Sequence, residues 1–97
     1  MKKLFISQPM NGKSSEEIAD TKCKALADAQ NIAGEELELI NSFVSSYSDD
    51  PICGIAKCIE LLSQADVVYF TEGWKQARGC RIEHVIAVEY ELTILND

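Results

Sequence analysis

The chain has 97 residues, 46% of them hydrophobic and 26% charged, which is enough for one compact domain and too little for two. Nine basic against sixteen acidic residues leave a net charge of −7. That excludes the basic stripe by which proteins grip DNA or RNA and argues against anionic membrane surfaces as partners.

Leu4-Phe5-Ile6 opens the chain as a fully apolar strand, of the kind buried on both faces of a parallel sheet. No apolar run reaches the ~20 residues of a membrane helix, and Met1-Lys2-Lys3 leads into this strand rather than into a signal peptide; a cytoplasmic protein is expected. Pro9 and Asn11-Gly12 then mark a loop over residues 7–13. Ser14 with Glu17 reads as a capping box that starts a helix, with Ile18, Ala25, Ala29 and Ile32 along one stripe and Gly34 at its end.

Residues 37–40 form a second, more polar strand, and residues 41–51, rich in Ser and Asp, a loop. Ile55, Cys58, Ile59 and Leu62 follow helical spacing over residues 53–64. Val67-Val68-Tyr69-Phe70 is the clearest strand, followed by a loop at Thr71-Glu72-Gly73-Trp74. A helix is expected over residues 80–91 and a last strand over 92–95.

Strands alternating with helices in the order βαβαβαβ imply one α/β domain over residues 1–97. The expected fold is a three-layer, flavodoxin- or Rossmann-like sandwich whose four-stranded parallel sheet has the order 2-1-3-4. The topological switch then falls between strands 1 and 3, and ligands bind beyond the carboxyl ends of strands at such a switch. The loops after strands 1 and 3 are the places to look, with the loop over residues 41–51 able to close over them.

Cys23, Cys53, Cys58 and Cys80 contain no Cys-x-x-Cys pair, so zinc is not indicated; Cys80 and His84, one helical turn apart, are the one weak metal pair. The plain expectation is thiols in a reducing compartment, with Cys23 and Cys58 as small core residues and neither metal nor cofactor required.

The first loop sets the Ser7 hydroxyl, the Gln8 amide, Pro9, Met10 and Lys13 before a helix N-terminus, which suits a phosphate or a sugar hydroxyl and equally suits an ordinary turn. The second carries Gly73, Trp74, Arg78, Gly79 and Arg81. Trp74 is placed either to stack on a base or to pack on a neighbouring helix. Arg78 and Arg81 suit either a phosphate or surface salt bridges. Glu83 is expected in the first turn of the last helix, where its carboxylate is either simply favoured by the helix dipole or, kept ionised by amides and arginines, suited to be a nucleophile, and spacing alone does not choose between the two.

Leu4-Phe5-Ile6-Ser7-Gln8-Pro9-Met10-Asn11-Gly12, Ala65-Asp66-Val67-Val68-Tyr69-Phe70 and Gly73-Trp74 with Arg78-Gly79-Cys80-Arg81-Ile82-Glu83-His84 together resemble a family of small bacterial and phage proteins. That family is related to the nucleoside 2-deoxyribosyltransferases and the 2′-deoxynucleoside 5′-monophosphate N-glycosidases. The resemblance implies that Glu83 attacks the anomeric carbon of a deoxyribose, with Gly79 as the glycine before it. It also implies that Ser7 and its loop hold the sugar or 5′-phosphate, and that Asp66 opens the strand carrying the site. The glycosidases have a Ser where this chain has Ala77 and an Asp where it has Cys58. The expectations are therefore an enzyme acting on the N-glycosidic bond of a deoxynucleoside or its monophosphate, or a catalytically silent nucleoside-binding protein, or an interaction protein with an unused cleft. A homodimer or higher homo-oligomer is expected in each case.

Overall fold

The computed structural model describes residues 1–10, 12–40 and 51–96. Of the loop expected over residues 41–51, residues 41–50 lie outside them, as does Asn11 of the first loop.

The elements run β1 (Lys2–Ser7), α1 (Ser15–Ala33), β2 (Leu37–Leu39), α2 (Pro51–Leu62), β3 (Val67–Phe70), a short 3-10 turn (Trp74–Gln76), α3 (Arg78–Glu89) and β4 (Thr93–Ile94). The strands form a four-stranded, all-parallel sheet in the order β2-β1-β3-β4, so the α/β class and the 2-1-3-4 order expected from the sequence hold. The central register pairs Leu4 with Val67, Phe5 with Val68, Ile6 with Tyr69 and Ser7 with Phe70.

Two cores follow from the pleat, because successive side chains of a strand point to opposite faces. Leu4 and Ile6 pack with Ala25, Ala29, Leu37 and Val67 on the α1 side. Phe5, Val68 and Phe70 pack with Ile40, Leu62, Ala65 and Ala87 on the side of α2 and α3. The apolar tripeptide of β1 is thus buried from both sides, which is why its sequence shows no alternation.

The Ser14–Glu17 capping box forms as expected: Ser14 Oγ accepts from Glu17 N–H at 3.1 Å and a Glu17 carboxylate oxygen accepts from Ser14 N–H at 3.5 Å. Gly34 closes α1 in the left-handed conformation, with φ of 72°, which glycine adopts without steric cost. Asn96 finishes the sheet edge, its side-chain amide accepting from Phe70 N–H at 3.0 Å and donating to the Phe70 carbonyl at 2.5 Å. No helix among the described residues is long and apolar enough to cross a membrane.

Several expectations are corrected. Ile32 is 48% exposed, because the stripe of α1 that packs on the sheet runs from Ala25 and Ala29 to Ala33 instead. Cys23 is exposed and Cys58 half-buried against the α2–α3 core, so the cysteine that behaves as a core residue is Cys80. Both α2 and α3 begin two residues earlier than expected, at Pro51 and Arg78. For α3 the reason is Ala77, whose extended backbone (φ −103°, ψ 121°) serves as the N-cap with no side-chain hydrogen bond to announce it.

Candidate active site

Among the described residues only four polar or charged side chains are buried: Ser7, Gln8, Thr71 and Glu83. All four lie at one place in the fold. Ser7 is the last residue of β1, Gln8 follows it, Thr71 follows β3, and Glu83 comes from α3, which leaves β3 by way of the 3-10 turn. The Thr71 N–H donates to the Ser7 carbonyl at 3.0 Å, carrying the β1–β3 ladder one step past the strands.

The Ser7 hydroxyl donates to Glu83 Oε1 at 2.5 Å, across 76 residues of sequence. Glu83 is 5% exposed. Burial pushes its carboxyl up to about 7, and the Ser7 hydrogen bond holds that rise back. Two thiols share the neighbourhood. Burial pushes the Cys58 thiol up to about 11, with the charges of Glu83 and Cys80 adding to it. Cys80 rises to about 11 for the same first reason, its Ser7 hydrogen bond lowering it and Glu83 raising it. Both are therefore neutral, unreactive thiols at physiological pH.

Glu83 does not sit where the sequence suggested. Because α3 starts at Arg78, Glu83 is its sixth residue, in the second turn, beyond the free amides of the helix start. Arg78 and Arg81 are exposed, and the Arg81 guanidinium donates to the Lys75 carbonyl at 2.9 Å. The expected ionised carboxylate held by amides and arginines is replaced by a buried carboxyl held by one hydroxyl and poised to gain or lose a proton near neutrality.

The other expected site residues divide. Pro9 and Gly73 bring the two loops together, a Cβ on Gly73 coming within 3.8 Å of the Pro9 ring. Met10 is half-buried and its carbonyl accepts from Lys13 N–H at 3.2 Å, while the Lys13 residue is exposed. Gly79 lies in the first turn of α3 against Ile55 of α2. Trp74, which was placed to stack either on a base or on a neighbouring helix, stacks on His84 of α3 with ring centroids 4.2 Å apart and leans on Phe70 at 5.1 Å. His84 therefore belongs to an aromatic cluster while Cys80 lies beside Ser7 and Glu83.

Asp66 is the clear miss. It accepts from Lys3 N–H at 2.8 Å at the amino end of β1 and β3. It is five residue steps from Thr71, roughly 16 Å along a strand. In a parallel sheet the residue before a strand lies at the end opposite the carboxyl-end cleft, so Asp66 has no part in this site. Thr71 is the residue the sequence reading passed over. Its signal was its place, the first polar residue after an all-apolar strand at the switch.

A groove of about 410 Å³ runs beside the second loop, lined by Tyr69 through Gln76 and by Asn96, and meets the buried cluster at Thr71. A larger, open depression of about 720 Å³ lies along the carboxyl end of α1 between Ala27 and Glu36, away from the buried polar residues.

Fold and site together define a Rossmann-like α/β protein with a buried Ser–Glu pair at the carboxyl end of its switch strands. A family model described as a domain of unknown function, DUF4406, matches residues 2–96, and the chain belongs to that family. No curated protein and no solved structure matches it.

Proposed function

We propose that this protein cleaves or exchanges the N-glycosidic bond of a 2′-deoxynucleoside or its 5′-monophosphate, with Glu83 as nucleophile. The observation that carries this reading is the buried Glu83 carboxyl, hydrogen-bonded by Ser7 beyond the carboxyl ends of the two strands where the sheet changes direction. A group pushed up to about 7 is substantially ionised at neutral pH and poorly solvated, which makes it more nucleophilic than a surface carboxylate.

In this mechanism a Glu83 carboxylate oxygen bonds to the anomeric carbon while the carbon–nitrogen bond breaks, its electron pair leaving with the base, which takes up a proton. Water, or a second base, then attacks the same carbon and releases Glu83 as carboxylate. Two displacements retain configuration. Ser7 holds the carboxylate oxygen in place. The protein works as a soluble cytoplasmic homo-oligomer, a role supported by the absence of disulfides among the described residues and by the exposed Ile82, Val85 and Val88 on the outer face of α3.

The placing of the acids favours the binding-only alternative. By position Asp66 and Glu72 are the candidates to protonate the leaving base, but Asp66 stands at the other end of the sheet, Glu72 is exposed, and the thiol of Cys58 lies near Glu83 where the resemblance sets an acid in the glycosidases. The deciding experiment is chromatographic detection of free base from a panel of deoxynucleosides and their 5′-monophosphates, with and without an acceptor base. Release by wild type that disappears in Glu83→Gln supports the enzyme; release that survives the substitution removes Glu83 from the role. No release from any substrate leaves the binding-only alternative.

A further inference from the structure

Gln8 is 5% exposed, and neither its amide nitrogen nor its amide oxygen has a hydrogen-bond partner among the described residues. The Thr71 hydroxyl, equally buried, is in the same position. Buried polar atoms are ordinarily paired, and leaving three of them unpaired costs stability that a merely structural loop would have no reason to give up. The two residues are side by side, each one step beyond the Ser7–Phe70 rung of the sheet.

The pleat separates them from the chemistry. Ser7 shares the face of Phe5 and reaches Glu83, whereas Gln8 and Thr71 follow Ile6 and Tyr69 toward the α1 face. A ligand laid across the end of the sheet meets Glu83 on one side and Gln8 with Thr71 on the other.

The kind of ligand follows from what this floor contains: two hydroxyls, one carboxamide and one carboxyl, with no cation buried among the described residues. Lys13, Lys75, Arg78 and Arg81 are all exposed. An ionised phosphate set on this floor would lose its hydration, meet Glu83 and find no counter-charge. A carboxamide offers one donor and one acceptor in a plane, and a hydroxyl adapts to either. That set complements an uncharged donor–acceptor edge, such as the lactam or amidine edge of a heterocyclic base.

We infer that Gln8 and Thr71 are the specificity pair of this site, reading the uncharged donor–acceptor edge of the ligand's heterocyclic base rather than a phosphate. The inference rests on the proposed N-glycosidic chemistry only for the identity of the ligand class; the pairing of orphaned groups stands apart from turnover.

The test compares wild type, Gln8→Leu and the near-isosteric Thr71→Val against the four deoxynucleosides and their 5′-monophosphates. Two readouts are taken, base release as kcat/KM and ligand-induced rise in melting temperature. The expected result is that kcat/KM for base release falls about tenfold in either variant, with nucleoside-induced stabilisation reduced alongside it, as the loss of a hydrogen bond to a neutral group predicts. The ligand-free variants should melt no lower than wild type, since each substitution removes an unpaired buried group. Stabilisation by nucleosides without base release removes Glu83 chemistry and leaves the specificity pair standing. Base release undiminished from wild type in both variants overturns the pair and leaves the glycosidic chemistry standing. Nucleoside affinity unchanged from wild type in both variants means that ordered water alone serves these groups, and it overturns the inference, as does stabilisation by neither ligand class.

Discussion

The two ends of the β1–β3 ladder treat polar side chains in opposite ways. At the amino end Asp66 stays exposed and its carboxylate accepts the Lys3 N–H at 2.8 Å, so the charge is both solvated and paired. At the carboxyl end Ser7, Gln8, Thr71 and Glu83 are all buried, and among the described residues the only hydrogen bond between their side chains is Ser7 to Glu83 and three side-chain atoms have no partner. The first arrangement is how a chain closes a strand at little cost. The second is destabilising wherever it occurs, and its confinement to the switch end of the sheet separates the part of the molecule kept for function from the part kept for folding.

The contrast is broken most directly by pH. A folded carboxyl pushed up to about 7 holds its proton more tightly than the unfolded chain does, so its contribution to stability is complete below the ordinary carboxylate range and is lost as pH rises through 7. Wild type should lose roughly 3 kcal/mol between about pH 5 and 8 from this group. Glu83→Gln should not, and should melt several degrees higher than wild type at pH 8 while matching it at pH 4.5. Identical melting curves at both pH values would mean that Glu83 is solvated and the contrast unreal.

Ser7→Ala comes next. Without its hydroxyl the carboxylate has no donor, so denaturant unfolding above pH 7 should show a loss of about 1–3 kcal/mol, and the pH midpoint of stability should move upward. Ser14→Ala tests whether burial or mere position matters, because Ser14 caps α1 just past the first loop but in solvent. Its loss should be about 1 kcal/mol with no dependence between pH 6 and 8. The smallest effect belongs to the opposite end: Asp66→Asn should change stability by about 0.5 kcal/mol or less and leave ligand response unchanged.

Most of the fold was legible because its signals are local or periodic. Leu4-Phe5-Ile6 has no polar member to place outward and Val67-Val68-Tyr69-Phe70 only the Tyr69 hydroxyl, and Ser14 with Glu17 and Gly34 mark both ends of α1. Glu83 and Ser7 were both legible as candidates, but their contact was not, since nothing local joins positions 76 residues apart. The state of Glu83 was misread because it hung on where α3 begins, and Ala77 caps that helix by backbone conformation alone. Thr71 and the orphaned amide of Gln8 needed the register of the sheet to become neighbours. Asp66 shows the opposite failure: its place before a strand already put it at the wrong end, and only a resemblance drew it into the site.

Trp74 is the one tryptophan of the chain, and its ring lies on His84, the residue next to Glu83. Indole emission responds to what stacks on the ring and to how much water reaches it. The intrinsic fluorescence of this protein therefore reports on the second loop alone, free of any other tryptophan signal. A ligand that shifts that loop or displaces the imidazole changes the emission, so occupancy of the cleft can be titrated optically without a label and without turnover.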